Sequence, residues 1–228
     1  MIKSKQEKFL ELHKNILSLG SEIIKNVTEA INNEVKKSGS LEHYKVVWNQ
    51  LENLASPQIQ KILEKHFPKC KITIGKSKST YPDIKMEFEG FIFAFDIKSN
   101  ESSKDPWYDI ARLDTIEDSR LKKFDEEYDL VVKYDSKTRK LLNMYFETLR
   151  DTVGIREECQ GVKYRPYDGK VRPKSWKDFA EGKTYWSTKE KFIKGIKRSK
   201  KYRFLELTKT HLKGLTKDEK EEFKKFLE

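Results

Sequence analysis

The sequence predicts an α/β (α+β) domain, with a mixed central β-sheet flanked by helices and a helical N-terminal third. Three observations predict this. Apolar residues recur at helical spacing up to His66, the period switches to two from Cys70, and helical spacing returns after a Gly/Pro-containing stretch that ends near Ser175. The chain has 228 residues, 36% of them hydrophobic and 12% aromatic, which is enough for one substantial core.

Residues 5–19 (KQEKFLELHKNILSL) place Phe9, Leu12, Ile16 and Leu19 on one helical face. Gly20 ends that run, and Ser21 is read as the N-cap of a second helix with the stripe Ile23, Ile24, Val27 and Ile31. A third helical region covers residues 40–66, with a break expected at Ser56-Pro57 because proline suits a first helical turn. So much apolar stripe exceeds the needs of a helix pair, and part of it is expected to serve a dimer interface. CKITIGK, DIKMEF and FIFAFDIK then read as strands, with Gly90 in the turn between the last two. Residues 107–124 read as mixed and partly helical. EYDLVVKYD and LLNMYFETL flank a turn at Ser136-Lys137-Thr138, so the strands read as a meander. Residues 154–175 are loop-like, and WKDFAEGK, STKEKFIKGIKRSKK and TKDEKEEFKKFLE read as helices.

Composition excludes several kinds of chemistry. No apolar run is long enough to span a bilayer and the N-terminus lacks a signal-peptide core, so no membrane partner is expected and the protein is expected to stay where it is made. Cys70 and Cys159 lack CxxC neighbours, and His13, His43, His66 and His211 are isolated. Zinc sites and histidine-based triads are therefore out, leaving carboxylates and lysines. A net charge of +11 and a pI near 9.3 favour a polyanionic partner. AT-rich codon usage also inflates lysine, but the basic excess is concentrated within residues 161–203.

The stretch YPDIKMEFEGFIFAFDIKSN (residues 81–100) puts chemistry at strand ends. On antiparallel neighbours the start of one strand lies beside the end of the next, so Asp83 and Asp96 can point into one space. Lys98 follows Asp96 by two residues and leaves the same face. Two adjacent carboxylates repel unless a cation lies between them, and Mg²⁺ suits their hard oxygens. Lys98 would then orient the attacking water or stabilise developing negative charge. Two acids, a lysine and a metal make a phosphodiester hydrolysis site. Acids and lysines at wet strand ends are the bland alternative.

Pro82-Asp83, twelve residues, then Asp96-Ile97-Lys98 resembles the PD-(D/E)xK motif of type II restriction endonucleases, and in particular the EcoRV-like blunt cutters. Upstream, Glu52, Pro57, Lys61-Ile62 and Glu64-Lys65-His66 are similar in order and spacing to a helix of that family; downstream, Lys177-Asp178-Phe179 and Glu181-Gly182-Lys183 resemble the segment after its recognition loop. The resemblance is patchy and covers roughly residues 45–195. It implies a PD-(D/E)xK restriction-endonuclease-like core in one endonuclease domain. Within it, residues 1–67 would carry dimerisation and the Glu52 helix, 70–150 the catalytic sheet, 154–203 the recognition loop and basic helices, and 204–228 the last helix. It also implies a bacterial cytoplasmic enzyme, Mg²⁺-dependent double-strand breaks at a palindromic, possibly A/T-only site, blunt 5′-phosphate ends, and a cognate DNA methyltransferase in the host. Asp83 and Asp96 would ligate Mg²⁺ with the Ile97 carbonyl, Lys98 would assist the water, and Glu52 would support the metal site. By pattern alone Glu52 is an ordinary solvated helix acid.

For double-stranded DNA, the resemblance takes Lys76, Ser77, Lys78, Ser79 and Thr80 to the minor groove, although a plain solvated loop fits equally well. The segment GVKYRPYDGKVRPK is the better candidate for the major groove, through Tyr164, Arg165, Tyr167, Asp168, Gly169, Lys170 and Arg172. The run from Lys194 to Arg203 reads as phosphate contacts or a solvated face. A palindromic site demands a two-fold symmetric protein, hence a homodimer. The alternatives are a structure-dependent repair or junction-resolving nuclease, and a noncatalytic basic DNA-binding protein.

Overall fold

The computed structural model describes residues 3–38, 51–75, 81–102, 105–106, 108–116, 120–135, 137–138 and 140–225. Helix α1 (Lys5–Ser18) opens with a capping box: Ser4 Oγ accepts from the Glu7 amide at 3.2 Å, and Glu7 accepts from the Ser4 amide at 2.7 Å. Helix α2 (Gly20–Ser38) follows after Leu19 alone. Ser21 therefore lies inside α2 and is not its N-cap, and Gly20 is the first helical residue rather than a stop. A Cβ on Gly20 would stand 3.2 Å from Phe146 Cδ1, so glycine is needed here for close approach to the sheet. Helix α3 (Leu51–His66) runs straight through Pro57, without the expected break. Proline forfeits one amide donor there, but Leu51, Ala55, Ile59, Ile62 and Leu63 bury one continuous face on both sides of it. Residues 40–50, the rest of that predicted region, lie outside the described residues.

The sheet has the spatial order β1 (Lys71–Ile74), β2 (Ile84–Phe88), β3 (Phe91–Glu101), β4 (Glu126–Asp135), β5 (Lys140–Thr148). Neighbours pair antiparallel except β3 and β4, which are parallel, so the sheet is mixed as predicted but is not a meander. The chain must cross back after β3 to start β4 from the same end. Short helical turns at Leu113–Thr115 and Leu121–Lys123 lie on that crossover. Between β2 and β3, Glu89 and Gly90 take φ of 49° and 82°, the positive pair that a two-residue hairpin requires.

Alternation along β3 splits its side chains between two faces. Phe93, Phe95 and Ile97 share a core with Met86, Tyr128 and Leu130, and with Leu12, Ile16, Ile23, Val27, Ile31 and Ile59 from the three helices. Among the described residues the sheet thus buries much of the helical stripe that was expected to be surplus, and Leu10, 53% exposed, is the large apolar side chain of α1 that stays out. The other face carries Ala94, Asp96 and Lys98 and lies under the second half of the chain.

That half has its own core, built on Ile110, Leu113, Val153, Val162, Val171 and Phe192. Residues 154–175 are more ordered than their loop-like composition predicts: β6 (Ile155–Arg156) pairs with β7 (Gly161–Val162), and single bridges join Arg112 to Lys170 and Tyr164 to Val171. Helix α4 (Trp176–Ala180) is short. Helix α5 (Lys189–Lys213) continues across the expected boundary at 203/204, and α6 (Lys217–Lys225) follows. Trp176 and Phe179 pack on Val131, which joins this half to the second sheet face.

Candidate active site

The hairpin register decides the site. Ile84 pairs with Phe95, so Asp83 lies one step before the ladder, opposite Asp96. The two carboxyls are near enough for each to shift the protonation of the other, and the Ile97 amide donates to Asp83 Oδ2 at 2.6 Å. A strand residue presents its N–H and C=O on the same side, so the Ile97 carbonyl faces the Asp83 strand as well. Lys98 Nζ stands 2.7 Å from Asp96 Oδ2, but that oxygen has no aligned hydrogen bond, so the contact is an ion pair.

The electrostatics follow from crowding in a buried place. Burial first, then Asp96, pushes the Asp83 carboxyl up to about 8, and the charge of Glu52 adds to the push. Glu52, half-buried in the first turn of α3, is therefore electrostatically part of the site. Burial also opposes ionisation of Asp96, but Lys98, the neighbouring Asp83 carboxyl and Arg120 together hold it below its usual value. Burial would lower Lys98, yet Asp96, Asp129 and Asp83 keep it above its ordinary value. Lys98 is thus an ammonium: it can donate and attract, and it cannot act as a base.

Sequence reasoning missed several residues on this face. Asp129 lies in register with Asp96 on the parallel neighbour β4 and is fully buried. Thr152 Oγ1 is 2.9 Å from Asp129 Oδ2, while Asp129 Oδ1 has no hydrogen-bond partner. Burial and Asp96 raise this carboxyl to about 7. The buried Tyr108 hydroxyl, also without a partner, is pushed well up by burial and by the charges of Asp129, Glu147 and Asp96. Arg120, 4% exposed, bonds Glu127 at 2.8 Å and the Tyr81 hydroxyl next to Pro82-Asp83. The one sequence signal for any of these was an Asp set between Tyr128 and the apolar run Leu130-Val131-Val132. Its closeness to Asp96 depends on the parallel register, which no local pattern reveals.

The donors suit a hard divalent cation. Asp96 disfavours a second negative charge on Asp83, and Asp96 Oδ2 is buried without an aligned donor; a cation would relieve both conditions. Among the described residues no three Asp, Glu, His or Cys side chains converge into a metal cage. Mg²⁺ characteristically keeps several waters and takes only one or two carboxylates, so the pair is a sufficient protein contribution.

The residues expected to meet DNA fare unevenly. Lys76, Ser77, Lys78, Ser79 and Thr80 lie outside the described residues. Tyr164 is only 4% exposed and its hydroxyl donates to Glu206 at 2.7 Å, so it is a core residue and not a base reader. Tyr167 is 70% exposed, with the Arg165 guanidinium 4.5 Å from its ring centroid. Arg165 also pairs with Asp168, holding that carboxyl down to about 2. Asp109 collects Arg165, Lys170 and Arg172 at 3.3, 2.7 and 3.4 Å, so these cations already have an internal carboxylate. A Cβ on Gly169 would stand 2.6 Å from Arg203 Nε, which ties the loop to α5. On α5 itself, Lys194, Lys197, Arg198 and Lys201 face solvent, while Phe192, Gly195, Ile196 and Ser199 face the core.

No protein-family model matches the sequence, and no curated protein sequence matches it. Among the described residues no helix is long and apolar enough to cross a membrane.

Proposed function

We propose that this protein is a Mg²⁺-dependent endonuclease that cuts double-stranded DNA at a specific palindromic site, a type II restriction endonuclease with a PD-(D/E)xK core. The observation that carries the reading is the hairpin register that sets Asp83 opposite Asp96, with Lys98 ion-paired to Asp96 on the same sheet face. Further support comes from the charge of Glu52 at Asp83 and from β4 running parallel to the strand that holds Asp96 and Lys98. A bound Mg²⁺ would supply a Lewis acid and an activated water. Asp83 and Asp96 would hold the ion, and the Ile97 carbonyl lies on the side from which it could contribute. Glu52 supports the acid pair. The Lys98 ammonium neutralises charge that develops on the phosphoryl oxygens as water attacks phosphorus. The P–O3′ bond would break as the attacking water gives up a proton to solvent and O3′ takes one from solvent, giving a 3′-hydroxyl and a 5′-phosphate.

A two-fold site implies a homodimer, which sedimentation would report as twice the 27.1 kDa chain. Blunt cleavage of an A/T-only site, a bacterial cytoplasmic setting and a companion methyltransferase belong to the same proposal. The decisive test digests long duplex DNA with wild type and with Asp96→Ala, in Mg²⁺ and in EDTA. Discrete fragments from wild type alone, only with Mg²⁺, are expected, and sequencing their ends gives site and stagger. Equal DNA shifts by both proteins without any cutting would make the protein a binder.

A further inference from the structure

We infer that Asp129 is a positioning residue that takes over the Lys98 ammonium when a divalent cation occupies Asp96. The inference rests on the proposed metal-dependent reading of the site. Asp96 has two claimants: among the described residues it is the one carboxylate ion-paired to Lys98, through Oδ2 at 2.7 Å, and it is the carboxyl that would bind the cation. A cation there repels the ammonium, so Lys98 needs a second carboxylate nearby or it swings into solvent, away from the attacking water. The fold supplies one. Asp129 stands directly across the parallel ladder from Asp96, about 4.8 Å away, the usual strand spacing, and on the same face. Lys98 leaves that face one pair further along, opposite Val131. The Thr152 hydroxyl stands 2.9 Å from Asp129 Oδ2 and 2.8 Å from the Leu149 carbonyl, with one proton to give to one or the other. The other oxygen, Oδ1, is buried without any hydrogen-bond partner, a costly condition that an incoming ammonium ends. The competing donor is the Tyr108 hydroxyl, buried nearby and equally unpartnered.

The test needs no turnover. Full-length protein crystallised with Ca²⁺ should show Lys98 Nζ within hydrogen-bonding distance of Asp129 Oδ1. An ammonium that stays on Asp96, or a Tyr108 hydroxyl filling Oδ1 instead, overturns the inference, and so does a site that takes no Ca²⁺. Kinetics then separate positioning from ligation and from folding. Asp129→Asn, which keeps the shape and the Thr152 contact, should melt close to wild type and require the same half-saturating Mg²⁺. Its single-turnover cleavage should slow by about 10–100-fold, as for groups that orient a catalytic side chain. The same substitution made in Lys98→Ala should cost nothing more. A wild-type rate in Asp129→Asn, or additive losses in the double variant, would sink the handover. A wild type that binds Ca²⁺ and moves Lys98 yet cuts no DNA would instead sink the nuclease reading alone.

Discussion

At the scale of single residues, the site is governed by how little charge a buried cluster tolerates. Lys98 is kept cationic by three carboxylates, so its chemistry is electrostatic. Lys98→Met should therefore lower the cleavage rate by about 10²–10³-fold, the usual loss when one charge-stabilising donor is removed, while Lys98→Arg retains part of it; single-turnover assays check both. Asp83 gives a stability signature as well. Its folded value, near 8, lies above the ordinary 3.8, so folding takes up a proton between those limits. The stability it contributes is fully present below about pH 4 and is lost as pH rises through 8. Asp129, held up to about 7, adds a slope of the same sign. In EDTA the melting temperature should fall between pH 6.5 and 8. Asp83→Asn should flatten that fall without abolishing it, and Mg²⁺ should reduce it. A flat wild-type profile across this window would show that the acids are not in contact.

At the scale of elements, α1 and α5 dock by opposite means. Helix α1 brings a histidine to the sheet: His13 Nδ1 lies 2.8 Å from the Tyr128 hydroxyl. Burial, then the Arg150 charge, drops this imidazole to about 4 against its ordinary 6.5. The stability it gives is complete above pH 6.5 and is lost as pH falls toward 4, opposite in sign to Asp83. His13→Gln should remove that acid-side slope, which thermal melts between pH 4 and 6.5 would show. Helix α5 docks by absence. A Cβ on Gly195 would stand 2.4 Å from Trp186 Cη2, so even alanine overfills the contact. Gly195→Ala should cost about 1–3 kcal/mol by urea denaturation, the usual penalty of overpacking.

At the scale of the molecule, buried charge joins the two halves. Lys174, 1% exposed, reaches Glu147 on β5 at 2.7 Å and the Lys183 carbonyl at 2.9 Å. Replacing it with alanine strands the Glu147 carboxylate, and breaking such a pair costs on the order of 3–5 kcal/mol. Lys174→Ala should lose about that much in urea. Lys174→Ala with Glu147→Gln should recover part of the loss, since the second change removes the stranded charge. The same joint roofs the acidic sheet face, because Thr152, which meets Asp129, and Tyr108, which packs on the Val131 cluster, come from this half.

Asp83, Asp96 and Lys98 were legible because the hairpin that unites them is local: period-two alternation on both sides of Glu89-Gly90 fixes which residues oppose each other. The helices α1 to α3 and all five strands of the sheet were legible for the same reason, since each shows its period within a few turns or residues. Gly20 and Pro57 misled because their effects here depend on a partner surface, Phe146 for one and a buried face of α3 for the other. The loop from Tyr164 to Arg172 misled because composition cannot tell a cation that waits for a phosphate from one already held by Asp109. Asp129 was out of reach for a different reason: a parallel pair is joined through a long crossover, and its register is set by packing. The sequence by itself determined the fold class, the helical stripes and the acid–lysine triad. Tertiary structure alone decided what those acids and that lysine face, because burial and long-range charge act between residues far apart in the chain.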